Sequence, residues 1–348
     1  MKTYRLALIG FGNVGQGLAQ ILQDRTNLLA QRFGVGFQIV AISDLLKGSI
    51  YNPDGFETMS LLHEIQTHGN LDDVVAPHRG WGALRTIAES NADVVVEISY
   101  TDLETGEPAL SHVRQALEVG KHVVTTNKGP IALHYPELVT LAAANGVQIG
   151  VEGTVMSGTP AVRLGMDLLA GAGISRIQGI LNGTTNYILT QMEAETSYAA
   201  ALAEAQAQGY AEADPTGDVE GHDAAGKVVI LANLLMDTPL TMADVARQGI
   251  TGLTLADINE ARAAGERWKL IGTVEKKESG VVASVRPLRL PASHPLASVS
   301  GATNAITYTT DLLGDVTLVG PGAGRVETGY ALLGDLLAIH RIGSGGKS

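Results

Sequence analysis

The chain opens on an apolar run, Leu6-Ala-Leu-Ile9, that stops at Gly10. A continuous run of this kind, without alternation, is the pattern of a strand buried on both faces. From Val14 to Leu29 apolar residues return at helical spacing, which predicts strand, glycine turn and helix. The same signals then recur. Phe37–Ser43 predicts a second strand with Asp44 directly after it, Asp93–Ser99 a third, and Pro108–Val119 a helix ended by Gly120. Lys121–Thr125 predicts a strand, Pro136–Ala144 a helix and Val147–Val151 a further strand. Strands separated by helices imply right-handed crossovers and a doubly wound parallel sheet, the Rossmann type of α/β fold.

Beyond residue 150 the pattern changes. Helical periodicity covers Thr159–Leu169, Asn186–Glu193, Ser197–Gln208 and His222–Met236, and strand-like runs follow at Val281–Leu290 and Ala305–Thr310. This predicts a second, α+β domain. The segment 312–339 reads as strand, glycine turn and helix once more, and is expected to pack back onto the first domain. The expected division is therefore 1–150 completed by 312–348, with 151–311 as the second domain. A length of 348 residues fits two domains of ~150. The closing Gly-Ser-Gly-Gly-Lys-Ser is expected to fray.

Composition narrows the partners. The net charge is −12 and no stretch clusters Lys and Arg, so neither nucleic acid nor an anionic membrane has an electrostatic footprint. No apolar stretch approaches the ~20 residues of a membrane span, and the short N-terminal run lacks the features of a secretory signal. A cytoplasmic protein acting on small molecules is expected. There is no cysteine, which removes disulfides, thiolate metal sites and a thiol nucleophile together.

Gly10-Phe-Gly12-Asn-Val-Gly15 follows the first strand and opens the first helix, the context required of a dinucleotide fingerprint. Its glycines serve the tight turn, the approach of the pyrophosphate and close helix packing, and the helix start supplies amide donors. Asp44, after strand two, is positioned for the adenosine ribose. An acid there favours NAD, while Lys47 nearby suits a 2′-phosphate, so the cofactor preference stays open. Lys128 lies just past a buried strand, where ligands of open α/β sheets bind. Glu152-Gly-Thr-Val-Met-Ser-Gly-Thr-Pro160 reads either as a domain hinge or as a carbonyl-rich loop suited to a hard cation.

The stretch Tyr210–Glu220 reads as a loop that carries Glu212, Asp214, Asp218 and Glu220, and Asp223 follows in the next helical turn. Asp223 and Lys227 are four apart with the acid N-terminal, hence on one helix face. At the surface such a pair is worth only ~0.2–0.5 kcal/mol. Here Val228-Val-Ile-Leu231 is apolar all round, so the helix is buried and Lys227 needs a partner or a task. The acids before it suit a cationic substrate or a helix cap; the spacing is not that of an EF-hand. The histidines show no paired metal-ligand spacing and read as structural.

Gly10–Gly15, Glu97 with Thr105-Gly-Glu-Pro-Ala-Leu110, Thr126-Asn-Lys128, Glu152–Pro160, Asn182-Gly-Thr-Thr-Asn186, Gly209–Lys227 and Gly320-Pro-Gly-Ala-Gly324 together resemble the homoserine dehydrogenase family over nearly the whole chain. The resemblance implies an NAD(P)-dependent oxidoreductase that interconverts homoserine and aspartate 4-semialdehyde in threonine, methionine and isoleucine biosynthesis. It also implies a homodimer paired through the middle domain, 151–311. By resemblance Lys227 and Lys128 are the catalytic lysines, Glu212 holds the substrate amine, and Asp218 and Asp223 help to place it. Gly10, Phe11, Gly12, Asn13, Val14, Gly15, Asp44, Lys128 and Gly322 are the implied cofactor-binding positions. The family's sodium loop falls on Glu152, Val155, Ser157 and Thr159, largely through backbone oxygens, with Met156 and Ser157 replacing small glycine-like residues. The chain ends soon after the catalytic region, so an appended regulatory domain and feedback inhibition by threonine through it are not expected.

Elementary chemistry agrees with this reading. A zwitterionic amino acid needs carboxylates for its ammonium and donors for its carboxylate. Alcohol–aldehyde interconversion needs an acid/base, for which Lys227 oriented by Asp223 is the candidate, and it does not need the absent thiol. Two alternatives stand beside it: another Rossmann amino-acid, keto-acid or sugar oxidoreductase, and a non-catalytic NAD(P)-sensing protein in which Lys227 is only a helix pair.

Overall fold

Leu6, Ala7 and Leu8 are fully buried, which places their strand at the centre of a sheet. The computed structural model describes residues 1–343. It divides into two units, 1–158 with 324 onward, and 159–323. The boundaries thus fall at 158 and 323 rather than at 150 and 311. The closing residues expected to fray lie, from 344 onward, outside the described part.

In the first unit β1 (Lys2–Ile9), β2 (Val35–Asp44), β3 (Gly48–Tyr51), β4 (His78–Arg79), β5 (Val94–Glu97), β6 (His122–Thr125) and β7 (Ile149–Gly150) form one sheet in the order β4-β3-β2-β1-β5-β6-β7. β1, β2, β5, β6 and β7 run parallel. The order reverses beside β1, so the carboxyl ends of β1, β2 and β5 border the crevice where such sheets bind ligands. β3 and β4 add an antiparallel edge that periodicity did not predict. At four and two residues they are too short for alternation to register.

The helix expected over Val14–Leu29 is two helices, Asn13–Asp24 and Thr26–Phe33. The chain breaks at Arg25, and the Thr26 hydroxyl donates back to the Leu22 carbonyl oxygen, a local bond that competes with the helix ladder. The helix expected from Pro136 begins at Lys128, with Asn127 as its cap and Pro136 in its interior. Lys128 therefore opens a helix and is not a loop residue.

The segment 312–339 divides between the units. Its strand pairs with another strand of the second unit, and only the helix Arg325–Gly343 belongs to the first. That helix packs on Asn13–Asp24 at backbone distance: a Cβ at Gly17 would lie 2.1 Å from the Arg325 carbonyl oxygen. Leu332, Leu333, Leu336 and Ile339 complete the core around Leu18 and Leu22.

The second unit is built on β8 (Ile174–Ile180), β9 (Val245–Arg247), β10 (Glu266–Lys277), β11 (Gly280–Pro291), β12 (Thr303–Thr310) and β13 (Gly314–Pro321), ordered β13-β12-β8-β10-β11-β9. All neighbours are antiparallel except β11 and β9. β8 and β10 were not predicted. β10 hides because its sequence, ERWKLIGTVEKK, is charged at both ends and carries a lysine, Lys269, inside the core. The helix expected over Thr159–Leu169 is a short one, Ala161–Arg163, that runs into a π-helical turn, Leu164–Leu168. The buried helix His222–Leu235 lies on β10 at Gly272, where an added Cβ would meet the Val228 side chain at 2.7 Å.

Gly17→Ala is expected to destabilise the protein by about 1–3 kcal/mol, because the obstructing atom is backbone. Gly334→Ala, in the same pair of helices but facing open space, is expected to be stabilising by about 0.5–1 kcal/mol. Urea denaturation of the two variants separates these outcomes, and equal midpoints would count against the packing described.

Candidate functional site

In the second unit the chemistry gathers at the start of the helix His222–Leu235. Lys227 is 7% exposed. Its Nζ donates to the Leu181 carbonyl oxygen at 2.6 Å and to Asp223 Oδ2 at 2.7 Å. Asn182 follows Leu181, and its amide nitrogen donates to Asp218 Oδ1 at 2.6 Å and to Asp223 Oδ2 at 3.1 Å. The Asn182 oxygen accepts from the Thr185 N–H at 2.9 Å and so caps the helix Gly183–Glu193. Thr184, in the first turn, donates from its hydroxyl to the Tyr210 carbonyl oxygen at 2.5 Å. Two helix starts and one loop therefore converge on Lys227, Asp223 and Asp218. The positive end of the Gly183–Glu193 helix, with its first-turn amides, faces the same loop.

Burial and the charge of Asp223 push the Asp218 carboxyl above the usual carboxylate range, against the opposing pull of Asn182, Thr184 and Lys227. The remaining acids of the loop separate. Asp214 Oδ1 accepts from the Thr216 N–H at 3.0 Å and starts a short helical turn, Thr216–Val219, within the expected loop. Glu220 accepts from the Thr251 hydroxyl at 2.8 Å. Glu212 is exposed, and Gln206 holds its backbone carbonyl. Asn182, Thr184 and the Leu181 carbonyl were not singled out from sequence as parts of a site. The available signal was the Asn182-Gly-Thr-Thr-Asn186 motif, whose first residue is at once a helix cap and a donor.

Gly322 also lies in the second unit, just after β13, where an added Cβ would fall 2.1 Å from the buried Asn304 amide. A larger residue there would have to displace the Asn304 side chain.

In the first unit the glycine turn has the form a dinucleotide requires. Gly10 has a φ of 100° and a Cβ there would lie 2.6 Å from the Ile98 carbonyl oxygen, so no other residue is accommodated. Gly12 has open space around it. A Cβ at Gly15 would press on Ile98 at 2.9 Å. Asn13 and Val14 begin the helix, and the Phe11 side chain is fully buried. Asp44 ends β2, and its Oδ2 accepts from the Phe11 N–H at 2.7 Å. Burial opposes ionisation of Asp44, but backbone N–H groups of Phe11, Lys47 and Leu46 and the Lys47 charge together hold its pKa below the usual value. An open glycine turn, a helix start and a fixed carboxylate suit NAD(P).

Lys128 stands at the carboxyl end of β6, as the first residue of its helix. Asn127 anchors this point, with its amide nitrogen donating to the Ser99 and Tyr100 carbonyl oxygens at 3.2 and 2.9 Å. The loop after β5 is held further by the fully buried Glu97, which accepts from the Ser99 N–H and faces His112 at 3.3 Å.

Of the expected cation loop, Glu152, Val155 and Ser157 belong to the first unit and Thr159 opens the second. Glu152 and Val155 are buried, and the Glu152 N–H donates to Asp335 at 2.9 Å. Ser157 has a φ of 54° and shares a 2.7 Å hydrogen bond with the Thr328 hydroxyl. The Thr159 hydroxyl donates to the Pro321 carbonyl oxygen. Among the histidines read as structural, His68 does meet Glu64 at 2.8 Å with Asp73 close by; His68 and Asp73 are exposed and Glu64 is half-buried. Among the described residues no helix is long and apolar enough to cross a membrane.

A Rossmann unit with this glycine turn, joined in one chain to an α+β unit that buries a carboxylate-paired lysine, defines the class: an NAD(P)-dependent oxidoreductase. Residues 10–152 match the family model described as homoserine dehydrogenase, NAD binding domain, and residues 160–337 match that of homoserine dehydrogenase. The chain belongs to the homoserine dehydrogenase family. It is 49% identical to an NAD(+)-dependent homoserine dehydrogenase of Pseudomonas canavaninivorans, over 98% of this chain and 97% of that one. It is 40% identical to a homoserine dehydrogenase of Methanocaldococcus jannaschii, over 96% and 98% of the two chains. A solved hyperthermophilic archaeal homoserine dehydrogenase mutant in complex with NADPH superposes with a TM-score of 0.83 at 31% identity, covering 97% of this chain and 98% of that one. The alternatives of an unrelated Rossmann oxidoreductase and of a non-catalytic NAD(P) sensor give way to this membership.

The raised pKa of Asp218 has a definite sign. The folded state keeps its proton at pH values where the unfolded chain has lost it, so this group's contribution falls as pH rises from about 3.8 through the folded value. Relative to Asp218→Asn, the wild type is therefore expected to lose stability over that window. A difference in urea midpoint that stays constant from about pH 4 to 7 would show Asp218 to titrate normally.

Proposed function

We propose that the chain interconverts L-homoserine and L-aspartate 4-semialdehyde with NAD(P), within threonine, methionine and isoleucine biosynthesis. The observation that carries this reading is Lys227, buried and held at 2.7 Å by Asp223 beside a loop of carboxylates and a helix start. A substrate with ammonium, carboxylate and hydroxyl groups meets a complementary group for each. Glu212 and Asp218 accept from the ammonium, and the first-turn amides at Gly183 and Thr184 receive the carboxylate. Lys227 moves the proton of the hydroxyl. On reduction its ammonium donates to the forming alkoxide, and on oxidation its neutral amine takes that proton back. Asp223 and the Leu181 carbonyl fix the direction of Nζ. Lys128, with its position set by Asn127, polarises the substrate oxygen or relays the proton. Bound NAD(P) supplies the hydride acceptor or donor. The chain holds it by Gly10, Phe11, Gly12, Asn13, Val14, Gly15 and Asp44, with Lys128 and Gly322 as further contacts.

Two finer points belong to the same reading. The protein works as a cytoplasmic homodimer, where the NAD(P) pool is available, and it pairs through the second unit, whose exposed Leu312, Leu313 and Val319 favour cover. Glu152, Val155, Ser157 and Thr159 offer oxygen donors alone, the chemistry of a hard monovalent cation such as Na⁺. The left-handed backbone of Ser157 supplies the tight bend that such a loop needs.

Purified protein offered homoserine with NAD and with NADP is expected to generate reduced cofactor, followed by absorbance. Cofactor binding without turnover on either pair would remove the proposal. Lys227→Ala is expected to lower kcat by about 10²–10⁴-fold with a smaller change in KM. Glu212→Ala is expected to raise the KM for homoserine about tenfold while kcat is largely kept. Wild-type kcat in Lys227→Ala would refute the acid/base role.

A further inference from the structure

We propose that the amino ends of β1, β5 and β6 form a binding site for a small dianion, a phosphate or a dicarboxylate, separate from the dinucleotide turn and from Lys227. A cavity of about 400 Å³ opens across these strand starts. Small-molecule sites occupy roughly 300–1,000 Å³. The glycine turn lies at the opposite, carboxyl end of β1, so the reaction proposed above makes no use of this cavity.

Strand register assembles the site. Leu6 pairs with Val94 and Val94 with His122, so Arg5, Asp93 and Lys121 stand in one row, one step nearer the strand starts. A strand spacing of about 4.8 Å brings together charges that are distant in the chain. Among the described residues Asp93 is the one carboxylate that lines the cavity, and Arg5 already claims it. Asp93 Oδ2 accepts from the Arg5 backbone N–H at 2.8 Å and from Nε at 3.1 Å, and Oδ1 accepts from Nη2 at 2.7 Å. That pair carries no net charge, and Arg5 Nη1 keeps its hydrogens for another acceptor.

Two ammonium groups at the cavity have no counter-charge. Among the described residues Lys2 makes no ion pair, and its Nζ lies 4.2 Å from the centre of the Tyr4 ring. Lys121 is buried and donates to the Ile87 and Ser90 carbonyl oxygens, which are neutral. Burial brings its pKa down only to about 8, so its ammonium persists at pH 7. This local excess of positive charge stands in a chain whose net charge is −12. His122 adds a neutral donor. Burial and then the Lys2 charge hold its imidazole below the usual pKa. Its Nδ1 accepts from the Gln148 N–H at 3.1 Å, which leaves the ring proton on Nε2. A dianion accepts from Lys2, Arg5 Nη1 and His122 Nε2, and supplies the charge that the two ammonium groups lack.

The test is calorimetric titration of the full chain with inorganic phosphate and, separately, with malonate, at saturating NADH so that the glycine turn is filled. Wild type is expected to bind at least one of them, and the tighter of the two identifies the ligand as phosphate or dicarboxylate. Lys2→Glu, at an exposed position that leaves the fold intact, is expected to weaken that binding about tenfold or more. His122→Asn, whose amide oxygen can still accept from the Gln148 N–H, is expected to weaken it about fivefold. Lys276→Glu makes the same charge change at an exposed position of β10 in the second unit, and is expected to bind as wild type does. Absence of binding of both anions at millimolar concentration overturns the proposal, as does wild-type affinity in Lys2→Glu or an equal loss in Lys276→Glu.

Discussion

An ammonium group removed from water must be given partners, and the arrangement of the second unit follows from meeting that demand at Lys227. Withdrawing the charge costs several kcal/mol unless hydrogen bonds and an opposite charge replace its hydration. The Leu181 carbonyl and Asp223 do so. Bringing Leu181 within reach of a helix from a distant part of the chain requires close packing, which Gly272 permits by admitting Val228 against β10. Asn182 then falls where its amide can serve two carboxylates and its oxygen can start a helix. Each of these contacts has a structural purpose, and together they leave a proton carrier in a fixed orientation.

Comparison with the other buried lysines shows why burial alone does not make a site. Lys269 is 1% exposed and donates to the Val299 carbonyl and the Asn186 side chain. Lys121 donates to the Ile87 and Ser90 carbonyls, and burial pushes its pKa down to about 8. Both bind neutral oxygens of segments distant in the chain. Lys227 has a carboxylate four residues before it and a second, Asp218, linked through Asn182. The ammonium of Lys227 thus faces an opposite charge at 2.7 Å, whereas Lys121 and Lys269 donate to neutral oxygens.

The first unit uses a fixed carboxylate in the same manner. Asp44 draws the Phe11 N–H and the turn after β2 toward one point, so the glycine turn is set before any ligand arrives. Such preorganisation lowers the ordering cost of binding. Asn127 has a comparable place at Lys128: it caps the helix and binds two carbonyls of the loop after β5. In both cases one polar side chain at a strand end joins two segments and sets the backbone at the functional position.

The apolar runs by themselves determined the parallel strands of the first unit, because strands buried on both faces leave an uninterrupted signature. The glycine spacing determined the turn at residues 10–15, since a positive φ and backbone-distance packing admit no other residue at Gly10. The pairing of Asp223 with Lys227 was equally legible, being local to one helix face. Tertiary structure decided the rest. The edge strands β3 and β4 exist only through pairing, and β10 conceals its place in the core behind charged ends and a buried lysine. Which acids turn toward Lys227 was also beyond the sequence. Asp214 and Asp218 stand four apart in one loop, yet one starts a helical turn and the other meets Asn182. That division depends on a helix cap dozens of residues away in the chain, and contacts of this kind arise only when the chain folds.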